Sequence, residues 1–148
     1  MAPYERLRAW RECHEFALAV YRATKEFPTE ERYGLTSQMR RAAFSAAANI
    51  VEGSARRGPR EFRRFLDIAL SSLTEVGYAL RFTREAGLLC EDAWSTLTDQ
   101  QSRARFLTWR CTARWVGNNL HRPPPPFTVL PNAVDLFPCP SISPALPA

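Results

Sequence analysis

The 148-residue chain has little of what catalytic, metal-binding and membrane proteins are built from. It holds only two histidines, His14 and His121, and its four cysteines, Cys13, Cys90, Cys111 and Cys139, lie far apart with no C-x-x-C pair. That distribution supports neither a zinc site nor a thioredoxin-like motif, and it predicts reduced, buried thiols. A Gly-rich phosphate loop and a nucleophile elbow are also missing, so no residue is assigned a catalytic role and no enzyme activity, metal or cofactor is expected. No window approaches the roughly 18 apolar residues of a membrane span, and Met1–Arg6 runs into charged residues without the apolar stretch of a signal peptide. A cytoplasmic protein without membrane contact is the expectation.

Lysine is nearly absent as well. Nineteen of the 20 basic residues are arginine, Lys25 being the exception, and 15 acids leave a net charge of +5. Such an excess suits a polyanionic partner, while GC-rich coding accounts for part of the preference for arginine over lysine.

The length suits one ordinary domain with a real core. Leu7, Trp10, His14, Ala17, Tyr21 and Thr24 recur at spacings of three and four, which predicts an amphipathic helix over about residues 5–26. Phe27-Pro28 stops it, because proline disfavours helix in the residue before it. Thr29 then caps a restart with an acidic first turn, and Gly34 is placed to interrupt it. Leu35, Met39, Ala42, Ala43, Ala46, Asn49 and Ile50 continue a second helix, over about 30–54, whose alanine-rich contact face lets a neighbour come close.

Gly58-Pro59 opens a third helix over about 59–86, with the long seam Phe62, Leu66, Ala69, Leu73, Val76, Leu80 and Thr83 and a left-handed cap at Gly87. One position back, Phe65, Ile68, Ser72, Glu75, Ala79 and Phe82 form a second stripe, more apolar circumference than one core requires. Phe65, Ile68, Glu75 and Phe82 are therefore the candidate oligomer interface. A fourth helix over about 91–117 has two overlapping registers, one through Trp94, Leu97, Ala104, Leu107 and Cys111 and the other through Phe106 and Trp109. Nine of the 12 prolines fall between Pro123 and Pro147, so residues 123–148 are expected to lie outside the bundle as an extended or disordered tail. The predicted architecture is an all-α, up-and-down antiparallel four-helix bundle over residues 1–122.

The run Phe27–Ala43, with Asn49-Ile50-Val51-Glu52-Gly53, Phe65–Ala69, Ser71–Glu75 and the opening Leu7-Arg8-Ala9-Trp10, resembles a bacterial four-helix bundle family. That family is often called the 23S rRNA intervening sequence protein, and the resemblance covers roughly positions 4 to 117. It implies a bundle that assembles into a ring-like homopentamer, with no known enzymatic activity. Some members are encoded inside intervening sequences of large-subunit ribosomal RNA genes. A relative is the accessory protein of diversity-generating retroelements, which binds a reverse transcriptase and nucleic acid and has a similar basic surface. Cys90, where a Ser or Thr cap is usual, and the Pro-rich tail depart from the pattern.

The most suggestive cluster is Arg40, Arg41, Arg56, Arg57, Arg60, Arg63 and Arg64, opposed between those limits only by Glu52 and Glu61, a local excess equal to the whole net charge. Arginine pairs phosphate oxygens through its planar fork, so these residues are the candidate nucleic-acid contacts; the alternative is a solvated face or ion pairs with carboxylates of neighbouring helices. Asn49 and Glu52 fall on the inner side of the second helix and read as structural polar groups rather than a carboxylate site, since no Glu-x-x-His pair accompanies them. His14 reads as a hydrogen-bonded core histidine, and the tryptophans as core or subunit interface. Two functions follow: an oligomeric scaffold or accessory factor whose arginine face meets RNA, DNA or a partner such as a reverse transcriptase, or a protein-protein adaptor displaying several copies of the Pro-rich tail.

Overall fold

In the computed structural model, residues 2–113 are described and form an all-α bundle of four helices: α1 (Arg8–Ala23), α2 (Leu35–Ser54), α3 (Pro59–Glu85) and α4 (Glu91–Ala113). Short 3₁₀ turns at Pro3–Arg6, Thr24–Glu26 and Thr29–Arg32 decorate the first half. The helix expected over 30–54 is thus divided: Thr29 opens a 3₁₀ turn without a side-chain cap, and the α-helix starts only after Gly34, as the glycine's position suggested. The tail expected over 123–148 lies outside the described residues, as do the last residues expected of the fourth helix.

Contacts fix the antiparallel register. Arg40 on α2 donates to Thr24 Oγ1 at 2.8 Å, beside the end of α1. Ser45 and Ser72 hydroxyls meet at 3.0 Å across α2 and α3, Gln101 on α4 donates to the Leu73 carbonyl at 2.8 Å, and Cys13 on α1 meets Thr108 on α4 at 3.5 Å. The start of α1, the end of α2, the start of α3 and the end of α4 therefore share one end of the bundle.

The core follows the predicted seams on α2 and α3, whereas on α1 the buried row of Cys13, Phe16 and Val20 lies one position before the predicted stripe, whose His14 and Tyr21 are exposed. Phe16 and Val20 on α1, Met39 and Ile50 on α2, and Leu66, Leu73, Val76 and Leu80 on α3 are all essentially inaccessible. The alanines of α2, Ala42, Ala43, Ala46 and Ala47, are buried, which lets α2 lie close against its neighbours. α2 also comes close to α3 at Gly53, where an added Cβ would stand 2.7 Å from Phe65 Cβ.

In α4 the inward positions are Leu97, Gln101, Ala104, Thr108 and Thr112, three of them polar. Each of those three finds a carbonyl: Gln101 on Leu73, Thr108 on Ala104 at 2.8 Å and Thr112 on Trp109 at 2.6 Å. Burial of such groups costs little once paired. Cys13 is enclosed, and loss of hydration pushes its thiol up to about 11. The expectation of buried thiols holds for Cys13 but not for Cys90, which is exposed before the first turn of α4; Cys139 lies outside the described residues.

The α3–α4 turn closes with a Schellman motif: Leu88 N–H donates to the Thr83 carbonyl at 2.9 Å and Gly87 N–H to Arg84 at 3.0 Å, with Gly87 at φ 72°. This is the left-handed cap anticipated at that residue. No described helix is long and apolar enough to cross a membrane.

Candidate nucleic-acid interface

The register divides the seven arginines of the predicted cluster. Arg56, Arg57, Arg60, Arg63 and Arg64 surround the α2–α3 connector at one end. Arg40 and Arg41, on the first turns of α2, belong to the opposite half and have internal tasks. The Arg40 guanidinium covers the Tyr21 ring at 4.8 Å while bonding Thr24, so it fastens α2 to the end of α1. Arg41 donates to Gln38, which donates in turn to Glu75 on α3.

At the connector the arginines are loosely held. Arg56 pairs with Glu52 one turn back and lies 5.3 Å over the Phe65 ring. Arg63 and Arg64 stand 3.9 Å from Asp67 and Glu61, exposed contacts that contribute about 0–1 kcal/mol each. Arg57 and Arg60 make no ion pair, side-chain hydrogen bond or ring contact among the described residues. Gly58, at φ 90°, turns the chain between them with no side-chain cap on the N-terminus of α3.

The same end gathers charge from segments distant in sequence. Arg6 and Arg8 arrive with the start of α1, and Arg103, Arg105 and Arg110 with the last turns of α4. In this half, residues 2–19, 45–72 and 102–113, eleven arginines face six carboxylates; in the other, residues 20–44 and 73–101, seven cations face eight. The molecule is polarised along its axis. Sequence reading found the connector but missed the α1 and α4 contributions, because which residues share an end depends on helix pairing that spacing along the chain does not encode.

The remaining expected residues distribute as follows. Asn49 is half-buried and donates to the Ser45 carbonyl at 2.8 Å, a structural role. Glu52 lies at the surface, not in the core, because its position at the last turn of α2 turns away from α1 and α3 toward Arg56. His14 is exposed rather than core: it flanks the α1 seam and stacks on Trp10 at 5.2 Å, with Tyr4 edge-on to the same indole at 4.8 Å. Ile68 and Phe82 are 40% and 50% exposed, Glu75 is exposed and Phe65 half-buried, so the second stripe of α3 does present apolar surface. Among the described residues, no three His, Cys, Asp or Glu side chains gather as a metal site.

Comparison with known proteins agrees with the architecture. A solved structure of a protein of unknown function from the S23 ribosomal protein family of Bacteroides thetaiotaomicron VPI-5482 superposes with a TM-score of 0.64 at 19% identity. The match covers 70% of this chain and 97% of that one, a likeness of fold. No curated protein matches the chain. The profile of the 23S rRNA-intervening sequence protein family matches residues 5–107, in keeping with the helical pattern and the motifs of α1 to α3, and the chain belongs to that family.

Proposed function

We propose that the chain is a non-enzymatic, homo-oligomeric scaffold or accessory protein whose arginine-rich end contacts nucleic acid or a protein that handles it. The observation that carries this reading is the pair Arg57 and Arg60, unpaired at the end of the bundle where positive charge is in excess. An arginine without a carboxylate partner meets a phosphate without first breaking an ion pair, and exposed pairs such as Arg63–Asp67 and Arg64–Glu61 exchange at small cost. Contacts of this kind recognise a phosphate backbone and carry no sequence information.

Self-association is supported by Ile68, Tyr78 and Phe82 on the outer side of α3, apolar surface a monomer has no use for. The resemblance favours a pentamer, and a ring would repeat the basic end around its axis so that weak contacts add. A reverse transcriptase or similar enzyme is a candidate partner by the same resemblance, in the cytoplasm. The adaptor alternative rests on the Pro-rich tail, which lies outside the described residues.

Native mass spectrometry of the untagged protein at low salt tests both parts. A fivefold mass carrying nucleic acid that salt removes is the expected result. A clean oligomer would transfer the reading to the adaptor, and a monomer would end the ring.

A further inference from the structure

The last four turns of α4 bring two properties together at the arginine-rich end of the bundle. From Gln100 to Ala113 there is no acid, while Arg103, Arg105 and Arg110 are present. Two aromatic rings sit among them. Phe106 is 52% exposed, its ring centroid 6.4 Å from that of Trp109 with planes inclined by 28°, and the Arg110 guanidinium lies 5.7 Å over it. Arg103 pairs with Glu12 on α1 at a long 3.9 Å, on a side chain 65% exposed.

A solvent-facing phenyl ring costs hydration and contributes nothing to the bundle, whose α4 seam is filled by Leu97, Gln101, Ala104, Thr108 and Thr112. Arginines interleaved with open aromatic faces suit single-stranded nucleic acid, whose bases are free to stack while its phosphates meet guanidinium groups. A duplex keeps its bases stacked on one another and offers only phosphates to the same surface. Because α3 and α4 are antiparallel, this stretch lies beside the first half of α3, at the same end of the bundle as the connector arginines.

From this juxtaposition we infer that the outer face of α4 around Phe106, Trp109 and Arg110 is a stacking platform for single-stranded RNA or DNA. The platform supplies the preference for single strands, and Arg57 and Arg60 supply strand-indifferent affinity. This inference rests on the nucleic-acid reading above, and positive charge of the surrounding end is what argues for this occupant over an apolar protein.

The test titrates labelled oligo-dT, oligo-U and a DNA duplex of equal length against the full chain and four variants at low salt. Phe106→Ala should weaken single-strand binding about fivefold to a hundredfold, the range for one lost base stack, and leave duplex binding nearly unchanged. Phe106→Tyr should restore it, and Tyr33→Ala, which removes an 88% exposed aromatic at the opposite end, should have no effect. Arg57→Gln with Arg60→Gln should weaken all three probes alike and reduce the salt dependence. Equal loss of single strands and duplex in Phe106→Ala, or no loss, would overturn the platform while leaving the broader reading intact. A change in assembly mass in Phe106→Ala would instead make the patch a contact between copies, and a wild-type chain that binds none of the probes would overturn both readings.

Discussion

Beside the turn from α3 into α4, Arg81 and Arg84 are tied down. Arg84 lies 4.1 Å over the Trp94 ring with its Nε 2.7 Å from Glu91, Arg81 donates to Glu85 at 2.8 Å, and a Schellman motif satisfies the carbonyls of the helix end. At the end where α2 passes to α3, Arg57 and Arg60 touch no partner among the described residues; their neighbour Arg56 pairs with Glu52, while the Arg63–Asp67 and Arg64–Glu61 pairs are exposed and long. The same residue type therefore does opposite work at the two ends, fastening at one and waiting at the other. What separates the two is the supply of carboxylates and aromatic faces nearby, not the arginine itself.

The first way to break the comparison is in the core beneath it. Leu66 and Leu80 are equally buried toward the two ends, so Leu66→Ala and Leu80→Ala should each cost about 2–5 kcal/mol in chemical denaturation. If Leu66→Ala were nearly neutral, the connector end would be loosely packed, and its unpaired arginines would reflect fraying rather than a prepared surface.

A second measurement asks whether the excess positive charge reaches inward. The Cys13 thiol stands at about 11 in the folded chain against an ordinary 9.0. A raised value for an acid means that the folded state holds its proton longer, so this contribution to stability is intact below about pH 9 and is lost as pH rises from about 9 to about 11. The integral of such a shift is roughly 2–3 kcal/mol. Alkylation at mildly alkaline pH should modify exposed Cys90 well before Cys13. A Cys13 that reacts as fast as Cys90 would mean that water or the arginine field penetrates between α1 and α4.

The third contrast is between arginines. Arg84→Ala should cost about 1–2 kcal/mol, since it removes a ring contact and an ion pair on a side chain only 21% exposed. It should leave nucleic-acid affinity unchanged. Arg60→Ala should change stability by no more than about 0.5 kcal/mol while lowering that affinity. A stability loss for Arg60→Ala as large as that for Arg84→Ala would erase the distinction between the two ends.

Much of the fold was legible in the sequence because α2 and α3 bury what their spacing marks as apolar, while the α1 stripe was read one position off its buried row of Cys13, Phe16 and Val20. The α3 seam from Phe62 to Thr83 and the alanine face of α2 are the core as predicted. α4 was harder, for a physical reason: its inward positions include Gln101, Thr108 and Thr112, while Phe106 faces water. Polar residues that find buried carbonyls and an aromatic that stays outside both work against a hydrophobic period. The same inversion hid the stacking face, which reads in sequence as one more core stripe. Arg40 was assigned to the basic cluster because it is close in sequence, yet its partners Tyr21 and Thr24 belong to another helix. His14 was misplaced by one flank of the α1 stripe, where Trp10 covers one face of the ring and leaves it exposed.

With four antiparallel helices, the first described residue and the last, Ala2 and Ala113, arrive at the same end, the one that carries the unpaired arginines. An affinity tag, fluorescent protein or surface linker joined ahead of Ala2 is delivered onto the very surface it is meant to report on. The α3–α4 turn at Gly87, far from that end and already closed by its own backbone hydrogen bonds, is the place to attach a probe or to open the chain for a circular permutant.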